Sequence, residues 1–129
     1  MKIEHLAIWV KDLEKMKDFY VKYFNMNCSN KYENTKKGFT SYFLSFPNET
    51  TRIEIMNMHS IKDAGFSYEN LFGFAHFAIS LGGKQRVNEL TKQFWEDGYV
   101  IYSEPRTTGD GYYESVVLDV EGNHVEITE

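Results

Sequence analysis

The sequence has very little cysteine, no long apolar run and no basic stretch, and each absence excludes a class of protein. The single cysteine, Cys28, cannot form an intrachain disulfide, which favours a reducing cytoplasm as the location. No apolar run approaches the ~18 residues of a membrane-spanning helix, and no signal-peptide pattern is present. The formal net charge of −5 comes without clustered lysines or arginines. We therefore expect neither a membrane nor a nucleic acid as a partner.

The length and composition favour one globular domain. The chain has 129 residues, and residues 1–129 fit one domain of ordinary size. At this length roughly two thirds of the unfolded surface can be buried, so a core forms without disulfides. Aromatic residues make up 16% of the chain, which is enough bulk for a core, a pocket or a subunit contact.

The first half of the chain predicts a strand, a helix and then two more strands. A strand pattern covers residues 3–10, and Asp12 follows where a helix N-cap is expected. Two further strand-like runs cover 39–46 and 51–56 and are separated by the turn-forming Pro47-Asn48. The apolar side chains between them recur every three or four positions, as on one face of a helix: Leu13, Met16, Phe19, Tyr20, Tyr23 and Phe24.

The second half repeats this order after a linker at about 57–73. A strand is predicted at 74–81, and Gly82-Gly83 separates it from a helix that ends near Gly98. The side chains on one face of this helix are Val87, Leu90, Thr91 and Phe94. The remaining predicted segments are a strand near 99–102, a loop at 104–111, and strands at 112–120 and 124–128. The repeat predicts two tandem modules, each a strand, a helix and further strands, at about 1–56 and 74–129.

Four chemistry-bearing side chains recur at equivalent positions of the two modules. Alternation along each strand places His5, Glu54, His76 and Glu126 opposite the aliphatic face that packs on the helix. If the strands curve into a half-barrel, these side chains can converge on its concave side. Two imidazoles and two carboxylates suit a divalent cation. A lone histidine or glutamate on a strand can equally face solvent, so the residues by themselves leave both interpretations open.

The same segments carry a resemblance to a known family. The chain resembles the vicinal oxygen chelate superfamily and, within it, glyoxalase I. The resemblance rests on the strand 3–10 with His5, on Asp12-Leu13 followed by Phe19-Tyr20, and on Asp-Val-Glu-Gly-Asn-His-Val-Glu at 119–126. Val120 replaces the proline usual in that last motif. The resemblance implies an α+β fold in which two βαβββ modules form a curved mixed sheet around a metal-binding cup.

The resemblance also implies an activity and a ligand set. The substrate would be the hemithioacetal of a 2-oxoaldehyde such as methylglyoxal, as for lactoylglutathione lyase. One divalent metal per site, Ni²⁺ or Co²⁺ by preference and otherwise Zn²⁺, Mn²⁺ or Fe²⁺, would be held by His5, Glu54, His76 and Glu126. Glu126 would act as the base, with Glu54 as a second proton-transfer group. Relatives of this kind imply a homodimer with its sites at the interface.

The pocket beside this ligand set is expected to include Trp9, Arg52 and Met56, which share the faces of His5 and Glu54. Glutathione-using glyoxalases commonly carry an arginine where this sequence has Trp9. An indole cannot replace a bidentate contact from arginine to a carboxylate. The thiol cosubstrate is therefore left open. So are three other functions of the superfamily: a fosfomycin-type thiol transferase, an extradiol dioxygenase and a non-catalytic bleomycin-type binding protein.

Overall fold

The two halves of the chain fold alike: in the residues that the structure describes, each has a strand, a helix and then further strands, four in the first half and three in the second. The computed structural model describes residues 1–62 and 73–129 and divides the chain into two units, Met1–Gly65 and Phe66–Glu129. The first unit contains β1 (His5–Trp9), α1 (Leu13–Phe24), β2 (Asn27–Cys28), β3 (Tyr32–Asn34), β4 (Phe39–Ser45) and β5 (Arg52–Met58). The second contains β6 (Phe77–Ser80), α2 (Lys84–Glu96), β7 (Ile101–Thr107), β8 (Tyr113–Leu118) and β9 (His124–Thr128).

The α1 helix follows the predicted pattern. The side chain of Asp12 caps the helix by accepting a hydrogen bond from the Lys15 backbone N–H at 3.0 Å. Asn25 ends the helix in the left-handed conformation, with φ 51°. Five of the six predicted apolar positions are buried, and Tyr23 is half-buried at the edge of this face. Because α1 packs on β4 and β5, these side chains form the core of the first unit.

The α2 helix lies between two glycine-containing turns. Gly83 starts the helix without a side-chain cap. At the other end Gly98 has a φ of 85°, a conformation that favours glycine, and its N–H donates to the Trp95 carbonyl at 3.1 Å. The buried face contains Val87, Thr91 and Phe94 and packs on β7, β8 and β9. Among the described residues, neither helix is long and apolar enough to span a membrane.

Each unit has a mixed sheet built to one plan. In the first, the order is β1-β5-β4-β2, and β3 also pairs with β4. In the second, the order is β6-β9-β8-β7. The first and last strands of each unit are parallel neighbours, β1 with β5 and β6 with β9, and the other pairs are antiparallel. The predicted α+β class with two βαβββ modules is thus confirmed.

The edge strands differ from the sequence prediction. The short polar strands β2 and β3 were not predicted, and they pair with successive parts of β4, so together they form one interrupted edge strand. The predicted loop at 104–111 is wrong at its start, because β7 continues to Thr107. Pro105 is tolerated there because β7 is an edge strand whose register to β8 shifts twice.

The segment between the modules begins later than predicted. β5 continues through Asn57 to Met58, and Asn57 donates from its side-chain amide to the Val10 carbonyl at 2.7 Å. The predicted linker at about 57–73 therefore contains two strand residues. Its larger part, residues 63–72, lies outside the described residues.

Candidate metal and proton-transfer site

The first unit brings His5 and Glu54 to one face of its sheet. In the parallel β1–β5 pair, His5 is opposite Arg52 and Ala7 is opposite Glu54, so both candidate ligands point away from α1. The other face carries Ile53 and Ile55, which are buried. The His5 Nε2 atom lies 3.8 Å from a Glu54 carboxylate oxygen. The side chain of Glu54 is only 15% exposed, so this carboxylate is largely withdrawn from water beside an imidazole.

A second carboxylate contacts the other side of the His5 ring. The Glu4 carboxylate accepts a hydrogen bond from His5 Nδ1 at 2.5 Å. Arg52 forms an ion pair with the other oxygen of Glu4, and its guanidinium lies 3.9 Å from the centre of the Phe43 ring. The hydrogen bond from His5, followed by the hydrogen bond from Arg52, holds the pKa of Glu4 below its usual range. Arg52 is on the predicted face but is engaged by Glu4.

The second unit forms the corresponding pair from His76 and Glu126. His76 Nε2 lies 3.3 Å from a carboxylate oxygen of Glu126, whose side chain is 15% exposed. Glu126 is opposite Ala78 in the parallel β6–β9 pair. His76 lies within the predicted strand 74–81 but just outside β6, because pairing with β9 begins at Phe77.

Glu126 lies beside residues that sequence analysis did not identify. Burial raises the pKa of Glu126 above its ordinary value, and the nearby Glu114 carboxylate adds to the rise. Glu114 forms an ion pair with Arg106 at 3.2 Å. Glu114 is opposite Thr128, and Val116 is opposite Glu126, so alternation along β8 is a sequence signal that could have identified Glu114.

A tight turn positions the strand that carries Glu126. The buried Asp119 carboxylate accepts hydrogen bonds from the backbone N–H groups of Glu121 and Asn123, at 3.0 and 2.9 Å. The side-chain amide of Asn123 also donates to it, at 2.9 Å. Gly122 has a φ of 83°, which favours glycine. These contacts explain the Asp-x-x-Gly-Asn part of the motif, since they fix the chain just before β9 begins.

The Asp119→Ala substitution should therefore destabilise the protein by about 2 kcal/mol, since it leaves partly buried N–H donors without their acceptor. The free energy of unfolding in urea measures the effect. Asp110→Ala is a matched control, because Asp110 lies in an exposed turn and its loss should change stability by less than about 0.5 kcal/mol. Equal changes in the two variants would contradict this role of Asp119.

Trp9 and Met56 extend the His5–Glu54 face with apolar surface. Trp9 is opposite Met56 in the β1–β5 pair. Its ring meets Phe39 edge to face at 6.1 Å between centroids, and Tyr32 meets the same Phe39 ring at 6.0 Å. The Trp9 residue is 45% exposed. Trp9, a predicted pocket residue, thus belongs to an accessible group of three aromatic rings.

A separate cavity of about 370 Å³ lies in the second unit, between α2 and β7. None of the predicted site residues lines it; its walls are Asn88, Thr91, Lys92, Trp95, Ile101, Glu104 and Pro105.

The comparisons with known proteins decide the family. The family model described as Glyoxalase/Bleomycin resistance protein/Dioxygenase superfamily matches residues 2–127. The chain belongs to this superfamily. A search of the curated proteins found no match to this chain.

Solved structures with the same fold include two glyoxalases I and one glyoxalase family protein. The trypanothione-dependent glyoxalase I of Leishmania major is 22% identical, with a TM-score of 0.77 over 100% of this chain and 86% of that one. Glyoxalase I of Zea mays is 24% identical, with a TM-score of 0.79 over 98% of this chain and 44% of that one. The glyoxalase family protein of Enterococcus faecalis is 20% identical, with a TM-score of 0.78 over 99% and 97%. At these identities the likeness shows the fold.

Members of the superfamily typically use a divalent metal, and the donor chemistry of this chain fits one. In each unit a histidine nitrogen faces a carboxylate oxygen, and borderline metals such as Ni²⁺, Co²⁺ and Zn²⁺ accept both donors. Across residues 1–62 and 73–129, no three side chains of His, Cys, Asp or Glu are grouped as for a metal ion. Each unit therefore supplies two of the four predicted ligands.

Proposed function

We propose that this chain is a glyoxalase-type, metal-dependent lyase or isomerase that acts on the hemithioacetal of a 2-oxoaldehyde such as methylglyoxal. The observation that carries the proposal is the repetition of one His–Glu pair in each unit. Glu54 and Glu126 occupy equivalent places on parallel strand pairs, and each histidine lies two residues before the alanine opposite its glutamate. Both glutamates are largely withdrawn from water. A product of this reaction would be an S-2-hydroxyacyl thioester, so the physiological role would be the detoxification of reactive aldehydes.

The four paired residues would hold one divalent metal, Ni²⁺ or Co²⁺ by preference, with Zn²⁺, Mn²⁺ or Fe²⁺ as the other candidates. The bound ion would supply electrostatic stabilisation of the negative charge that develops on the substrate oxygens. His5 and His76 are neutral donors in this role. The presence of Glu54 as a fourth ligand favours the glyoxalase reaction over a fosfomycin-type transferase or an extradiol dioxygenase, each of which uses two histidines and one carboxylate.

Glu126 is the residue that would move the proton from one substrate carbon to the next. Burial and the neighbouring Glu114 raise the pKa of Glu126, so its carboxylate is a stronger base than an exposed glutamate. Its distance of 3.3 Å from His76 places it beside a proposed metal ligand, where the acidity of the substrate C–H would be highest. Glu54, at the equivalent place of the first unit, is the candidate for the second proton transfer.

The thiol part of the substrate is more apolar than glutathione in this proposal. Trp9 offers an aromatic surface with Phe39 and Tyr32, and Arg52, the nearby cation on this face, is paired with Glu4. A second carboxylate from a substrate would therefore compete with Glu4 for the guanidinium. This contact pattern favours a thiol that presents little negative charge near Trp9.

Metal analysis and an activity screen test the function. Protein purified without an affinity tag should contain one of the five candidate ions. Apoprotein reloaded with each ion should then convert methylglyoxal and a thiol to the thioester, monitored by thioester absorbance. In another outcome the protein binds metal, forms no thioester with any of several thiols, and modifies fosfomycin or cleaves a catechol. That result would contradict the glyoxalase reaction and support the fosfomycin-type transferase or the extradiol dioxygenase. Protein that binds no metal would overturn it in favour of a bleomycin-type binding protein.

Trp9→Arg tests the position of the thiol. The substitution should improve kcat/KM for the glutathione adduct relative to the parent by about tenfold, because it adds a guanidinium that a carboxylate can contact in two places. Trp9→Phe is the control, since it removes the indole without adding charge. Equal kcat/KM values for Trp9→Arg and Trp9→Phe would show that the missing guanidinium at position 9 is not what disfavours glutathione.

A further inference from the structure

We propose that Glu4 is a positioning residue that fixes the tautomer and ring direction of His5, an inference that rests on the proposed metal site. A neutral imidazole carries one N–H and one lone pair, and the hydrogen bond made by one nitrogen decides which of the two it is. Glu4 lies 2.5 Å from Nδ1, and an ionised carboxylate can only accept a hydrogen bond. The proton of His5 is therefore on Nδ1, and the lone pair on Nε2 is directed to the side where Glu54 lies.

The carboxylate of Glu4 is itself held from two directions. Its Oε2 atom accepts from His5, and its Oε1 atom is paired with the Arg52 guanidinium. The Glu4 backbone is fixed as well, because its carbonyl accepts from the Arg52 N–H at 3.0 Å. Since His5 is directly opposite Arg52 in the β1–β5 pair, the strand pairing brings all three residues together.

Phe43 closes this group from the neighbouring strand. Its ring meets the His5 ring edge to face at 5.6 Å, with an interplanar angle of 89°. The Arg52 guanidinium lies over the same ring, at 3.9 Å from its centroid. The imidazole is therefore restricted by an aromatic ring in addition to the hydrogen bond at Nδ1. Glu4, Arg52 and Phe43 form a support for the ring whose free nitrogen faces the proposed metal position.

Carboxylates that accept from the second nitrogen of a metal-binding histidine orient the ring and raise its basicity. Loss of such a partner typically lowers metal affinity by about 10- to 100-fold. Glu4→Ala should therefore weaken the binding of Co²⁺ to the apoprotein by that factor. Glu4→Gln retains an acceptor oxygen at the same place and should recover much of the affinity. Glu33→Ala, at an exposed position of β3, is the control and should bind Co²⁺ as the parent does.

Two measurements separate this inference from the proposed function. Calorimetric titration with Co²⁺ alone gives the affinity, and nitrogen NMR of the apoprotein at mildly alkaline pH gives the His5 tautomer. The expected parent tautomer has its proton on Nδ1, and Glu4→Ala should give a mixture of both forms. Parent protein that shows this tautomer but binds no Co²⁺ would contradict the metal site and support the role of Glu4 in orienting the ring. Unchanged Co²⁺ affinity and an unchanged tautomer in Glu4→Ala would overturn the inference.

Discussion

Glu126→Gln should lower kcat for thioester formation by about 10²- to 10⁴-fold, the usual contribution of a positioned general base. The amide has nearly the shape of the carboxylate but cannot accept the substrate proton. The substitution also removes one negative charge beside Glu114, whose carboxylate contributes to the raised pKa of Glu126. We therefore expect the variant to fold and to keep or increase its stability, so that the loss of activity reflects the missing base and not unfolding. Steady-state kinetics on protein of measured metal content gives kcat, and unfolding in urea gives the stability.

Glu89→Gln is the matched control for this substitution. Glu89 is exposed on α2, where it accepts a hydrogen bond from Gln85 at 2.7 Å. The same loss of charge at this position should leave kcat within about twofold of the parent, because the residue is on the helix and contributes to no predicted site. If metal-loaded Glu126→Gln turns over as fast as Glu89→Gln, then Glu126 is not the base and Glu54 becomes the candidate.

The helices and central strands could be predicted because their burial pattern is strong. Along β5, the buried Ile53 and Ile55 flank the half-buried Glu54, so alternation gives both the strand and the face of its carboxylate. The same alternation predicts Val125 and Ile127 around Glu126. The edge strands β2 and β3 could not be predicted, since two or three polar residues carry no period.

The contacts around His5 show where sequence reasoning ends. Glu4 lies in the predicted strand 3–10, where alternation places it on the face opposite His5, but it precedes β1 and contacts His5 instead. Its carboxylate is also paired with Arg52, which is 48 residues away and is brought close by strand pairing. Arg52 was expected in the pocket because it shares a strand face with Glu54. Its ion pair with Glu4 forms because β1 and β5 are paired. Long-range partners of this kind follow from the register of the sheet, which no local pattern specifies.

The distribution of the four proposed ligands leads to an expectation about assembly. Each unit supplies one histidine and one glutamate, so a four-ligand site needs two units. These can come from one chain or from two chains related by a twofold axis. We propose the second arrangement, a homodimer in which His5 and Glu54 of one chain share a site with His76 and Glu126 of the other. The metal-loaded protein should then have the mass of a dimer at micromolar concentration, measured by light scattering.

Mixing two inactive variants tests the shared site directly. His5→Ala and Glu126→Ala should each be inactive alone, because every site in either homodimer lacks one ligand. If sites are shared, a mixed dimer has one site with both lesions and one site with none. Random subunit exchange makes about half of the dimers mixed, so about a quarter of the parental activity should return.

The control for this experiment is a pair of lesions within the same half of the site. His5→Ala mixed with Glu54→Ala should recover no activity under the shared arrangement, because each site of the mixed dimer then takes both His5 and Glu54 from one damaged chain. Subunit exchange is verified separately by mass spectrometry of isotope-labelled protein. If exchange is complete and the His5→Ala and Glu126→Ala mixture stays inactive, each chain builds its own site. In that case the metal joins the two units of one chain, and loading with metal should raise the unfolding temperature of a monomer.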